Sequence, residues 1–112
     1  MMAIWLDIGP AAAVPSQGAR KLMIQGRQIA VFRTAENGFF ALEDRCPHKN
    51  GPLSDGIVHG DCVTCPLHGW VISLASGAAQ GADSGQVLTL PVALDGEHLK
   101  LDISVLSIAA AE

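Results

Sequence analysis

The chain has 112 residues, 49% of them apolar and 16% charged, with a formal net charge of −4. A chain of this size forms one domain that buries roughly 65% of the surface its unfolded form exposes, and its hydrophobicity excludes general disorder. The acidic balance and the lack of any basic run argue against nucleic acid as a partner; the three cysteines, Cys46, Cys62 and Cys65, are too few and too oddly numbered for a disulfide framework.

In chain order, residues 1–14 form an apolar stretch with no Lys or Arg in front of it, broken by Asp7, Gly9 and Pro10 and too short to cross a bilayer. It reads as neither leader nor membrane span, so the protein is expected to be cytoplasmic and away from membranes, with residues 11–13 in a loop. Strand signals follow at residues 21–24 and 28–34, flanking Gln25-Gly26-Arg27, and at 39–44 after the turn signal Glu36-Asn37-Gly38. Residues 57–59 and 62–64 flank Gly60-Asp61 as two short strands, and 70–74 forms another. Residues 87–94 read as one strand with Leu88, Leu90, Val92 and Leu94 on one face and Pro91 at an edge or bulge. After Asp95-Gly96, Leu99, Leu101 and Ile103 alternate with Lys100 and Asp102, so the last two strands form a hairpin. The expected fold class is all-β, a small antiparallel sandwich or barrel. The apolar tail is open to reading as helix, strand or partner contact.

Between Asp44 and Leu74 the sequence changes character. Cys46-Pro47-His48 and Cys65-Pro66-Leu67-His68-Gly69 each offer a thiol and an imidazole, with a proline directly after the cysteine, and sixteen residues lie between His48 and Cys65. Two soft thiolates and two imidazoles from adjacent loops make a four-ligand metal site. Zinc can accept such a set, but finger sites pair Cys with Cys and His with His on a following helix, which is not expected here. Mixed pairs suit a two-iron cluster clamped between loop tips, where Pro47, Pro66, Gly51, Pro52 and Gly69 let loop amides turn towards bridging sulfides.

These two boxes resemble the cluster-binding segments of Rieske [2Fe–2S] proteins. The resemblance implies one [2Fe–2S] cluster per chain, with Cys46 and Cys65 on one iron and His48 and His68 on the other. It also implies a Rieske-type antiparallel fold in residues 1–104, with a two-loop cluster-binding subdomain at about 44–74 and a tail at 105–112. Rieske proteins of respiratory membrane complexes add a cysteine to each loop and donate serine and tyrosine hydroxyls to cluster sulfur. Here Gly51 or its neighbours and Leu67 take the cysteine places, Trp70 follows His68-Gly69, and the chain has no tyrosine. Fewer donors to sulfur leave the reduced cluster less stabilised, so the potential is expected near the low end of the Rieske range, about −150 mV.

The segments 50–58, 70–74 and 77–85, above all the Gly/Ala/Asp-rich run before Val87, are similar to the small subunit of assimilatory NAD(P)H-dependent nitrite reductase. This implies an electron-transfer component of that enzyme, docked on a siroheme- and flavin-containing large subunit that reduces nitrite to ammonia, with no catalytic residue of its own. Gly69 departs from that subunit, which often has Asn there, and matches ferredoxins of aromatic-ring-hydroxylating dioxygenases, the alternative. A structural or regulatory module with a non-catalytic cluster is the third reading. Cys62 reads as a small core hydrophobe rather than a ligand, His59 and His98 as solvated strand-end residues, Lys49 as a solvated loop charge, and Trp70 as either a core residue or a lid over the cluster.

Overall fold

A computed structural model describes residues 3–47, 51–67, 69–81 and 85–106. Among these residues ten short strands form three antiparallel sheets. The middle sheet consists of β2 (Gly18–Ile24), β3 (Arg27–Arg33), β4 (Phe39–Glu43) and β8 (Thr89–Leu90), in that order. A second sheet orders β1 (Trp5–Pro10), β10 (His98–Asp102) and β9 (Val92–Asp95). The third is a meander of β5 (Ile57–His59), β6 (Cys62–Thr64) and β7 (Val71–Ser73).

The layering follows from β3. Its run Ile29-Ala30-Val31-Phe32 is buried at every position, as a strand covered on both faces must be. Ile29 and Val31 face a core shared with Leu90, Leu99, Leu101 and Leu106. Ala30 and Phe32 face the opposite core, which contains Val58, Val63, Ile72 and both Cys46 and Cys65. The middle sheet thus presents one face to the terminal strands and the other to the cysteine-bearing meander. The β2–β3 connection is the two-residue turn Gln25-Gly26, with φ of 52° and 79°; positive φ at both positions suits a hairpin whose strands twist right-handedly.

One strand goes unforeseen and one expectation is corrected. Residues 5–10 form a strand that pairs with β10, with a bulge between Asp7 and Gly9; the first three of its residues are exposed, so no alternation advertised it. Residues 87–94 are two strands in different sheets. Pro91, which lacks an N–H, is the crossing point, and its carbonyl accepts the Asp102 amide at 3.0 Å. Leu90 is accordingly buried while Leu94 is 58% exposed. The β9–β10 hairpin is present, with His98 opposite Asp95 and Leu99 opposite Leu94. Ala11–Ala13 form a 3-10 turn.

Asp102 joins the two ends of the described chain. Its carboxylate accepts the Ser104 hydroxyl at 2.7 Å and the amides of Ile4 and Ser104, each at 3.0 Å. The Ser104 hydroxyl above all, then the Ile4 amide, holds the carboxyl below its ordinary value of 3.8. A depressed folded pKa contributes stability that is fully present above the unfolded value and is lost as pH falls through the folded one. Asp102→Asn should therefore melt below wild type at pH 6, and the gap should narrow below about pH 4. Thermal melts at pH 6 and pH 3 check this; a gap independent of pH would contradict it.

Candidate metal centre

The first box begins where β4 ends. Asp44 donates its amide to the Gln28 carbonyl at 2.9 Å, extending the ladder one step, and the chain then leaves the sheet at Cys46. The second begins where β6 ends, one residue after Thr64. Cys46 and Cys65 are 1% and 2% exposed, in no disulfide, and packed into one core. Their loops close in the same way. The Cys46 amide donates to the Gly51 carbonyl at 2.7 Å, and the Cys65 amide donates to the Trp70 carbonyl at 2.7 Å. In each case the acceptor lies five residues on, so the doubling seen in the sequence is also a doubling of backbone structure.

This closure refines the expected role of loop amides. Those of Cys46 and Cys65 serve the loops themselves, and the Gly69 amide donates to the Cys65 carbonyl at 3.1 Å. All three are therefore engaged by carbonyls of the loops themselves.

Gly51 brings the loops together. A Cβ built there would lie 2.5 Å from Leu67 Cδ1 and 3.7 Å from Cys65 Sγ, so a side chain at position 51 would have to push the exposed Leu67 side chain aside for the first loop to rest on the second. The positions compared with the disulfide of membrane-complex Rieske proteins thus meet through a glycine–leucine packing contact. A third segment closes over them. A Cβ on Gly85 would lie 2.9 Å from Pro47 Cβ and 3.8 Å from Trp70 Cζ3. Trp70 is half-buried and packs against the core that holds both cysteines.

His48, Lys49, Asn50 and His68 lie outside the described residues. Cys62 is half-buried in β6, opposite Ser73 and His59 and on the face away from buried Val63, so it is not the core hydrophobe expected. Exposed His59 approaches Thr64 Oγ1 at 2.6 Å through Nε2. His98 is exposed, with Nδ1 3.0 Å from the Asp7 carboxylate. Two clefts of about 530 and 540 Å³, one lined by Phe39, Leu74 and Pro91, the other by Arg27, Glu43 and Gln86, do not reach either cysteine.

Two buried thiols at the starts of matched loops of an all-β scaffold suit a soft metal, since thiolates select zinc, copper(I) or iron–sulfur centres. The chain belongs to the Rieske [2Fe–2S] domain family, whose pattern matches residues 4–91. Membership implies a Rieske-type [2Fe–2S] cluster and makes the chain an electron-transfer domain. The two cysteine thiols, outside any disulfide and held in one core by equivalent turns, fit such a cluster.

Among relatives, the chain is 45% identical over 66 residues to the 4beta-methylsterol monooxygenase of Methylococcus capsulatus, covering 59% of this chain but only 18% of that protein. It is 40% identical over 73 residues to the anthranilate 1,2-dioxygenase ferredoxin subunit of Burkholderia cepacia, covering 65% of this chain and 58% of that one. Identity to the ferredoxin component of the naphthalene 1,2-dioxygenase system of Pseudomonas aeruginosa is 27% over 101 residues, covering 89% and 96%.

Among solved structures, the Sphingomonas yanoikuyae B1 ferredoxin superimposes with a TM-score of 0.78 at 25% identity, covering 88% of this chain and 98% of that one. A protein provisionally named as the NADH-dependent nitrite reductase small subunit of Mycobacterium tuberculosis gives 0.81 at 17% identity, covering 90% and 96%. Another, provisionally named as an NADPH nitrite reductase small subunit, gives 0.79 at 23%, covering 88% and 97%. At these identities the two nitrite reductase subunits share the fold. Among the described residues no helix is long and apolar enough to cross a membrane.

Proposed function

We propose that this chain is a Rieske ferredoxin that carries one electron at a time to the oxygenase component of an aromatic-ring-hydroxylating system. The observation that carries this reading is a match along nearly the whole length of a dioxygenase ferredoxin, of which the chain covers 96%. Gly69, the residue after the second histidine, also agrees with ferredoxins. Cys46 and Cys65 would hold one iron and His48 and His68 the other, within a subdomain of about residues 44–74. The bound cluster supplies reversible one-electron chemistry. The chain's own residues hold the thiolates in a dry core, exclude water through Trp70 and the Gly85 segment, and present the loop tips to a partner.

The second reading, small subunit of an assimilatory NAD(P)H-nitrite reductase, ranked first on sequence grounds. It is favoured by the Gly/Ala/Asp-rich connection before Val87 and by the likeness in fold to two such subunits. In both readings substrate chemistry belongs to the partner.

Iron, acid-labile sulfide and zinc assays on aerobically purified protein, with low-temperature EPR after reduction, test the cluster; stoichiometric zinc alone would overturn it. A redox titration should give a midpoint near the low end of the Rieske range, about −150 mV, and a value well above zero would contradict the argument from missing sulfur donors. The reduced protein mixed with a terminal oxygenase or with a nitrite reductase large subunit, each taken from the same gene neighbourhood, should be reoxidised by the oxygenase. Reoxidation by the nitrite reductase alone would favour the second reading.

A further inference from the structure

Asp44 is one of three buried polar or charged residues among those described, 7% exposed, and it stands two residues before Cys46. A buried carboxylate persists only where donors satisfy its oxygens. Here they come from Ser54, beyond the first ligand loop, and from Gln28 of the neighbouring β3. The Ser54 amide donates to Oδ1 at 2.7 Å, the Ser54 hydroxyl to Oδ2 at 2.7 Å, and Gln28 Nε2 to Oδ2 at 2.6 Å. Ser54 lies ten residues on, in a 3-10 turn, Leu53–Asp55, whose Leu53 is fully buried beside both cysteines. The Asp44–Ser54 pair is thus an outer tie around the loop, and the Cys46 amide to Gly51 carbonyl bond is an inner one.

The turn reaches further. Gly56, directly after it, packs so closely on the Thr64 carbonyl that a Cβ would overlap it, and Thr64 immediately precedes Cys65. An unbroken series of tight contacts therefore runs from Asp44 through Ser54 and Gly56 to the base of the second ligand loop.

We propose that Asp44 is a positioning residue for the cluster: through Ser54 it clasps both ends of the Cys46 loop and fixes that loop against the base of the Cys65 loop. The inference rests on the cluster reading above. Groups that orient ligands without touching the metal typically change metal affinity 10–100-fold when removed.

The test compares wild type with Asp44→Asn, Ser54→Ala and Ser54→Thr as purified holoproteins. Asp44→Asn turns one acceptor oxygen into a donor facing the donors of Ser54 and Gln28. Ser54→Ala deletes one hydroxyl donor with no change of charge, and Ser54→Thr keeps it. Iron loss to excess chelator should be about tenfold faster or more in Asp44→Asn, with Ser54→Ala intermediate and Ser54→Thr at the wild-type rate. The EPR g-values of the reduced cluster should shift in the first two variants and not in the third, which a general loss of stability would not produce. Should Asp44→Asn fail to fold, the two Ser54 variants decide. Unchanged release and unchanged g-values in Ser54→Ala and any folded Asp44→Asn would overturn the clasp while leaving the cluster reading intact. Wild-type protein devoid of iron and sulfide would overturn both.

Discussion

Cys65→Ser should give a folded β protein that carries no [2Fe–2S] cluster. Serine nearly matches cysteine in shape, so the second loop keeps its Cys65 amide to Trp70 carbonyl closure, and the cost of a hydroxyl in this buried site is about 1–3 kcal/mol. The chemistry, however, is lost. An alcohol does not ionise near neutral pH as a thiol beside a metal does, and its hard oxygen is a poor ligand for a sulfide-bridged iron. Iron and sulfide should fall from about two each per chain to near zero, and the visible and EPR signals should vanish while far-UV circular dichroism stays β-like. Cys62→Ser is the matched control. Cys62 stands three residues earlier on the half-buried face of β6, and its variant should retain the full complement. A Cys65→Ser protein that keeps its cluster, or a Cys62→Ser protein that loses it, would show that the thiols had been assigned to the wrong roles.

The two cysteine boxes were legible in the sequence because they are local. Cys-Pro-His and Cys-Pro-Leu-His are short segments in which ligand type, spacing and proline occur together, and the chain need not be folded to see them. The β3 run and the last hairpin were legible for a related reason, since burial on two faces or one leaves a continuous or alternating pattern. What escaped depends on partners distant in sequence. β1 exists because β10 supplies its hydrogen bonds some ninety residues away. The break at Pro91 follows from a change of sheet, and alternation runs on through it. The Asp44 clasp is a polar contact that becomes visible only when Ser54 is placed beside it. Gly85 was read as a mark of family, whereas in the fold it is the point where a third segment closes on Pro47 and Trp70.

That third segment carries the other large expected effect: Gly77→Ala should destabilise the protein strongly, and far more than Gly26→Ala. The two glycines have nearly the same backbone, φ of 75° and 79°, a region that costs an L-residue roughly 1–2 kcal/mol. Their surroundings differ. Nothing lies within 4 Å of a Cβ at Gly26, whereas at Gly77 it would overlap the Val87 carbonyl oxygen, a backbone atom that no rotamer change can move. Gly77 is also tied at both ends, its amide donating to the Ser73 carbonyl at 2.7 Å and its carbonyl accepting the Val87 amide at 2.9 Å. To make room, the end of β7 and Val87 must separate, and Val87 is 3% exposed in the core that holds Cys46 and Cys65. Overpacking of this kind adds about 1–3 kcal/mol to the strain. In a domain of this size the sum corresponds to a fall in Tm on the order of 10 °C or more, against about 5 °C for Gly26→Ala. Because displacement at Val87 reaches the cysteine core, Gly77→Ala should also release iron to a chelator faster than wild type, while Gly26→Ala, in a turn where the added Cβ meets nothing within 4 Å, should not. Melting curves and iron release on the same holoprotein samples check both parts; equal losses of Tm would mean that backbone conformation, not the contact with Val87, sets the requirement for glycine at position 77.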